Sequence, residues 1–559
     1  MKNKHSYLFY LAIFLIFIGC NSTDNVENNE DIDTNGTINM PELSIQEKIN
    51  EYAKFQLSSD ISALSDKQKE IIKLLIEISD IFDEIYWYQT WGNKEELFAS
   101  IVDPDTLQYI KINYGPWDRL NGNKPIIEKI GKKPLGANYY PSDVKYLPFI
   151  NMKFEDKLSQ FTLLKRDENG ELYTVPYHKA YNEQLTKAAE LMNKVADISE
   201  NPSQKKFFQL RAQAFLSDNY YDSDIAWMEI NDNIIECVVG PIECDEDRFI
   251  NTKTAYQSII LLKDNDWSNK MKSYIGFIPE LLKNIPIDEK YRSLISGKAD
   301  DICVYDAIYY KGYANQGGKS ISINHPKDGR ILMEKGNEKL QFKNVMKAKF
   351  DKILYPISEV VIDESQLKHV KFEAFFENNL FYEISDGLTI NKTLDNKGTV
   401  KDAMKEYYST INGLKADVLR LILITELDDM GKHGDLDLMD NYVTFVSDIF
   451  RSVRFGTSHF QGEGNMVTFN FLIEQGAIVR NNETGKYKID FEKMKSSLEK
   501  LSNDIIVIQG DGNFEAAQEL IQEKGFIRDV LKGDLVKISK AGIPRDIYFE
   551  QGLDILGIK

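Results

Sequence analysis

From Leu43 to about Phe82 apolar residues return every three or four positions (IQEKINEYAKFQL, then LSDKQKEIIKLLIEISDIFDEIYW), which predicts amphipathic helices with Asp60 and Ser65 as candidate caps. Residues 100–180 are richer in Gly, Pro and Asn and read as irregular chain with short strands. The helical period returns over about 181–215. Three β-branched runs follow, Ile234 to Ile242, Ile302 to Tyr310 and Ser320 to Ile323, and these read as strands. Beyond Lys343 the pattern is again mostly helical, at about 343–353, 369–386, 400–426, 438–454, 466–476, 490–508 and 514–523. Strands thus cluster in the middle of the chain, and no repeat of fixed period occurs. That order predicts an α+β protein of two lobes rather than a doubly wound sheet or a repeat array.

Residues 1–20 (MKNKHSYLFYLAIFLIFIGC) place Lys2 and Lys4 before an apolar run from Tyr7 to Ile18, the layout of a secretion signal. The run is too short to cross a hydrocarbon core of ~30 Å as a helix. It ends at Gly19-Cys20, which resembles the lipobox of bacterial lipoproteins, with Phe17 standing where Leu is usual. A signal peptide over 1–19 and lipidation of Cys20 are therefore expected. Residues 20–40 carry Asp24, Glu27, Glu30, Asp31 and Asp33, no base and almost nothing apolar, and read as an acidic flexible tether. An acidic run after a lipidated cysteine resembles the surface-export signals of Bacteroidetes lipoproteins. The resemblance implies a lipid anchor in the outer membrane and display on the cell surface. Asp31, Asp33, Asn35 and Glu42, with Gly36 and Ile38 between them, also fit the spacing of a twelve-residue calcium loop, although no entering helix precedes them.

Charge changes the picture of the partners. The 559 residues carry a formal charge of −19, and loss of residues 1–19 with Lys2 and Lys4 leaves −21. No Lys/Arg run stands alone, so the chain lacks the basic patch a nucleic acid needs. With 30 Phe, 29 Tyr and 5 Trp it can instead build sizeable cores in two to four domains. Cys237, Cys244 and Cys303 are an odd number in an oxidising compartment, so at most one disulfide can form.

Seven stretches run in order from about residue 200 to 525: Asn219-Tyr-Tyr-Asp-Ser-Asp-Ile-Ala-Trp227-Met, Gly240-Pro-Ile-Glu243, Gly317-Gly-Lys-Ser-Ile-Ser-Ile-Asn324-His-Pro326, Lys343-Asn-Val-Met-Lys-Ala-Lys-Phe-Asp-Lys-Ile-Leu, Arg451-Ser-Val-Arg-Phe-Gly456, Phe469-Asn-Phe-Leu-Ile-Glu-Gln-Gly476-Ala and Ile508-Gln-Gly-Asp-Gly512. As a series they resemble the dipeptidyl peptidase III family of zinc exopeptidases, especially its shorter bacterial branch and the peptidase-like region of some plant Nudix proteins. The resemblance implies a mixed lower lobe with a β-barrel core (41–263 and 308–354) and a mostly helical upper lobe (264–307 and 355–559). A wide peptide-binding cleft would lie between them.

That family holds zinc with two histidines on one helix and a glutamate on another, and a further glutamate activates the metal-bound water. Where the short branch has His-Glu-x-x-His-Gly this chain reads Tyr382-Glu383-Ile384-Ser385-Asp386-Gly387. Where the family has Glu-Glu-x-x-Ala-Asp it reads Asn412-Gly413-Leu414-Lys415-Ala416-Asp417. The ligand positions are thus Tyr382, Asp386 and Gly413, while Glu383 matches the general base. Gln461 replaces a family histidine that helps stabilise the transition state, and His459 lies two residues earlier. The six histidines include no pair within five residues and no His-Glu dipeptide, so no replacement site is offered. No cofactor is expected.

Glu243 matches the glutamate that holds a peptide's amino group, and Asn324 the asparagine of the edge strand that pairs with substrate backbone. Asp245 stands where an aromatic residue is usual. The expected function is a lipid-anchored, catalytically degenerate pseudopeptidase that binds a peptide or protein partner. The alternatives are a metallo-exopeptidase with a rearranged, zinc-binding site around Glu383 and Asp386, and an assembly subunit whose cleft has no ligand.

Overall fold

The computed structural model describes residues 43–153, 156–297, 302–434 and 436–559. Cys20, the signal segment, the tether and the candidate calcium ligands Asp31, Asp33, Asn35 and Glu42 lie outside the described residues.

Helix α1 (Ile45–Asn50) starts from a capping box between Ser44 and Glu47. The helix expected over 43–57 stops there, because Tyr52–Gln56 forms strand β1 and pairs in parallel with Asp546–Glu550, Tyr52 opposite Asp546. A partner at the far end of the chain overrides the local period. Ser65 caps α2 (Asp66–Thr90) together with Gln68. Asp60 caps no helix; its carboxylate accepts from the Ser62 amide at 2.8 Å and closes a turn. Next come α3 (Asn182–Ile198) and α4 (Pro202–Phe215), the latter capped by Asn201 with proline in its first turn. Helix α5 (Tyr221–Met228) follows.

Five strands make the main sheet: β2 (Ile235–Glu243), β3 (Ala255–Lys263), β4 (Ile302–Gly312), β5 (Ser322–His325) and β6 (Glu338–Phe342), in the order β5-β6-β4-β3-β2. Only β6 and β4 run parallel. Strands β3 and β6 were not legible in the pattern: β3 is buried on both faces and so does not alternate, and β6 has Glu338, Lys339 and Gln341 among its five residues. α2 lies against the sheet, where Ser79 and Ser258 hydroxyls meet at 2.6 Å and Tyr309 donates to Asp80 at 2.9 Å. Helix α6 (Asn265–Asn284) is tied to β4 by the Val304 amide, which donates to Ser268 at 3.0 Å. β4 runs unbroken to Gly312, so the expected lobe boundary at 307/308 falls inside a strand.

The sheet does not close into the expected barrel. Its edge strands β2 and β5 share no backbone ladder. Side chains join them instead: Lys327, just past β5, reaches Glu243 at the end of β2 at 3.2 Å. Trp227 of α5 touches both edges, donating to Glu236 at 2.7 Å and packing its ring 4.7 Å from His325. A helix wedged between the edges takes the place a closing ladder would need.

The rest is mostly helical: α7 (Lys343–Lys349), α8 (Phe372–Gly387), α9 (Tyr408–Asp429), α10 (Leu438–Val453), α11 (Phe460–Glu474), α12 (Phe491–Asp511), α13 (Phe514–Lys524) and α14 (Asp529–Lys540), ending in β7 (Asp546–Glu550), the partner of β1. α9 is the centre of this part, buried at every residue from Gly413 to Thr425 and packed against α8, α11 and α12. Cys237 and Cys303 are buried and Cys244 is half-buried, and no disulfide joins any of the three. Among the described residues no helix is long and apolar enough to cross a membrane.

Candidate functional site

The site grows from the two edges of the sheet. β2 ends in a bulge between Pro241 and Glu243, which turns the Glu243 carboxylate toward Lys327. Gly240 before the bulge has φ +136°, with Arg211 and Tyr220 within 3.5 Å of where a Cβ would stand. Burial pushes the Glu243 pKa up, and Lys327 opposes this. Asp245, two residues on, accepts from the Tyr313 hydroxyl at 3.2 Å. Asn324 sits half-buried on β5, which has β6 on one side and, among the described residues, no strand on the other. Trp227 of α5 covers the His325 end of that edge.

On β6 the residue facing Asn324 in register is Lys339. Its Nζ donates to the backbone carbonyl of Glu383 at 2.7 Å and lies 3.4 Å from the Glu383 Oε2. The Lys339 side chain is only 4% exposed and that of Glu383 18%. Burial raises the Glu383 pKa, while Lys339 works against the rise. A single run of contacts therefore links Asn324, through its strand partner, to the helix that carries Tyr382, Glu383 and Asp386.

Tyr382 and Asp386 share one face of α8, four residues apart. The Tyr382 ring lies 5.5 Å from the Arg420 guanidinium. Burial, then Asp417 and Asp386, push this phenol well above its ordinary pKa. Asp386 accepts from Asn412 of α9 at 3.4 Å. Facing it is Lys415, also on α9, which is buried and donates to the Leu388 carbonyl. Burial pulls the Lys415 pKa down to about 8, with Asp386 resisting and Lys339 assisting. Gly413 is closely covered: a Cβ there would stand 3.2 Å from two carbons of the Phe460 ring, a contact the ring must yield to by a few tenths of an ångström. Gln461 follows Phe460 at the start of α11, and His459 caps that helix by accepting from the Gln461 amide at 3.4 Å. His459 therefore faces its own helix end and not the Gln461 side-chain position.

The structure thus brings Tyr382, Glu383, Asp386, Gly413 and Gln461 together, and joins Asn324 and Glu243 to them through the β5 end of the sheet. A zinc ion needs three or four ligand atoms at ~2.0–2.3 Å. These positions offer a buried phenol whose pKa is pushed well above its ordinary value, one carboxylate that accepts from Asn412, and a glycine covered by an aromatic ring. Among the described residues no group of three or more His, Cys, Asp or Glu could hold a metal ion. The residues present do not fit zinc. Sequence reasoning missed Lys339 and Phe460. Only Lys415 was legible, as a cation inside the Asn412–Asp417 motif.

The fold has close relatives. It superposes on the structure of DPP III from Caldithrix abyssi with a TM-score of 0.86 and 35% sequence identity, covering 91% of this chain and 99% of that one. The chain belongs to the dipeptidyl peptidase III family. Residues 157–383 match Peptidase family M49. The dipeptidyl-peptidase III of Corallococcus sp. strain EGB is similar at a TM-score of 0.75 and 29% identity, over 90% of this chain and 96% of that one. Nudix hydrolase 3 of Arabidopsis thaliana is 29% identical over a 570-residue alignment, 90% of this chain and 73% of the plant protein. The two-lobed α+β fold of the dipeptidyl peptidase III family is therefore the fold of this chain, with an open sheet where a barrel was expected.

Proposed function

We propose that this chain is a lipid-anchored, catalytically degenerate dipeptidyl peptidase III-like protein that captures a peptide or protein partner without cutting it. The observation that carries this reading is Gly413 under the Phe460 ring. The position that supplies a zinc ligand in the family has no donor atom and is closely covered by an aromatic ring. Glu383 beside Lys339 supports it too, since a general base needs a metal-bound water to activate and here faces an ammonium. The binding half of the reading rests on Glu243 and Asn324. A half-buried carboxylate selects a peptide's amino group by charge-assisted hydrogen bonds, and Asn324 stands on an edge strand, the kind of element that pairs with an extended backbone. The anchor at Cys20, an outer-membrane location and surface display rest on the sequence of residues 1–40 alone.

Elemental analysis of the purified mature chain, run beside an assay on dipeptidyl arylamides, tests the degenerate half. No stoichiometric zinc and no turnover are expected. Stoichiometric zinc with turnover abolished by Glu383→Gln would establish the metallo-exopeptidase instead. Calorimetry with short peptides on the wild type and on Glu243→Ala tests the binding half. Heat in the first and none in the second is expected, and no heat in either favours an assembly subunit.

A further inference from the structure

The stretch Arg451-Ser-Val-Arg-Phe-Gly456 ends α10 and puts Arg454 at its C-cap. Nη2 of Arg454 donates to the carbonyls of Pro544 at 2.8 Å and Arg545 at 3.0 Å. Its Nε is buried without a partner. The carboxylates that face it, Asp546 and Glu51, are each held by another base, Asp546 by Lys349 at 3.0 Å and Glu51 by Arg545 at 3.8 Å. Two further cations face it: Arg545, and Arg451, which is bound to Asp448 at 2.5 Å. The Phe455 ring, 47% exposed, lies 4.8 Å from the Arg454 guanidinium and 5.1 Å from that of Arg545.

A guanidinium keeps its proton and its charge. Held among like charges and largely out of water, Arg454 is costly unless an anion completes its surroundings. The depression of its pKa to about 9, caused first by burial and then by Arg451 and Arg545, reports the same shortage of negative charge. A carboxylate drawn to the guanidinium supplies the missing charge and the missing acceptor together, and Phe455 offers an apolar contact to the body of its carrier.

The position of this patch ties it to the cleft. The loop from Arg454 to Gly462 folds back on itself, so that a Cβ on Gly462 would meet the Gly456 carbonyl at 2.5 Å. The far end of the loop carries Phe460, whose ring stands 3.2 Å from where a Cβ on Gly413 would lie. We infer that Arg454, with Arg545 and Phe455 beside it, is an oxyanion subsite that takes a carboxylate of the peptide bound in the cleft. This rests on the peptide-binding reading and names the ligand chemistry of one subsite.

Calorimetry on the full mature chain separates the sources of that carboxylate, using tetra-alanine with a free C-terminus, its C-terminal amide, and Ala-Ala-Ala-Glu amide. The free acid is expected to bind about tenfold tighter than the amide, and the ratio to fall to about twofold or less in Arg454→Gln. Arg454→Lys, which keeps the charge and loses the planar fork, is expected to fall between and stands in if Arg454→Gln does not fold. Affinity recovered by the Glu amide alone assigns the subsite to an acidic side chain. Equal affinities of all three peptides overturn the proposal. If no peptide binds, the peptide reading fails, and phenylglyoxal labelling of Arg454 with and without inorganic phosphate decides the subsite. Protection by phosphate, read by mass spectrometry against Arg166 as reference, upholds an oxyanion site, and labelling unchanged by phosphate removes it.

Discussion

Lys339 holds Glu383 twice, by donating to its backbone carbonyl at 2.7 Å and by lying 3.4 Å from its carboxylate. One residue belongs to the sheet and the other to α8, so this contact fastens the strand side of the site to its helical side. Removing one member leaves the other charge buried. Lys339→Met and Glu383→Gln are each expected to lower stability by about 3 kcal/mol, and the double variant by clearly less than the sum. Urea unfolding at neutral pH measures the cycle. Strict additivity would show that the pair is uncoupled.

Lys415 gives a pH dependence of known sign. Its folded pKa, about 8, lies below the unfolded value, so between those values the unfolded chain binds more protons. Its ammonium burdens the folded state below about pH 8, and stability is regained as pH rises from there toward 10.5. The regain is roughly 3 kcal/mol at most. Lys415→Met should flatten the wild-type stability curve over that window. Parallel curves for the two proteins would falsify the assignment.

Gly413 and Phe460 make a prediction that changes sign. In the wild type Gly413→Ala pushes a Cβ against the ring at 3.2 Å, and about 1 kcal/mol of destabilisation is expected. With Phe460→Ala already in place the same change meets open space and should stabilise by about 1 kcal/mol through helix propensity. Thermal unfolding of the four proteins reads both numbers. A loss of the same size in both backgrounds counts against the ring as the obstacle.

Chelation bears on the ligand positions as a set. If the chain is the degenerate protein proposed above, exhaustive dialysis against EDTA moves the unfolding midpoint by no more than about 1 °C. A fall of roughly 4 °C or more, reversed by added zinc, would mean that other residues have taken over the metal.

Much of the fold was legible because it is local. Ser65 as a cap, the helices around 182–215 and 491–524, and strands β2 and β4 follow from spacing and side-chain type. β1 was missed because its pairing partner is β7, near the other end of the chain, and β3 because burial on both faces erases alternation. The barrel expected from the family is an open sheet because Trp227 of α5 stands between its edges, a packing fact with no periodic signature.

The amino-acid sequence by itself determined the family and the identities of Tyr382, Asp386 and Gly413, since both depend on which residue stands where in a motif. Only the tertiary structure decided what occupies the space those residues leave. Lys339 and Glu383 are 44 positions apart, and Phe460 comes from a different helix than Gly413. A charge or a ring brought in from another element is set by how elements pack. Local periodicity records which face of a helix is buried and is silent about what is buried against it.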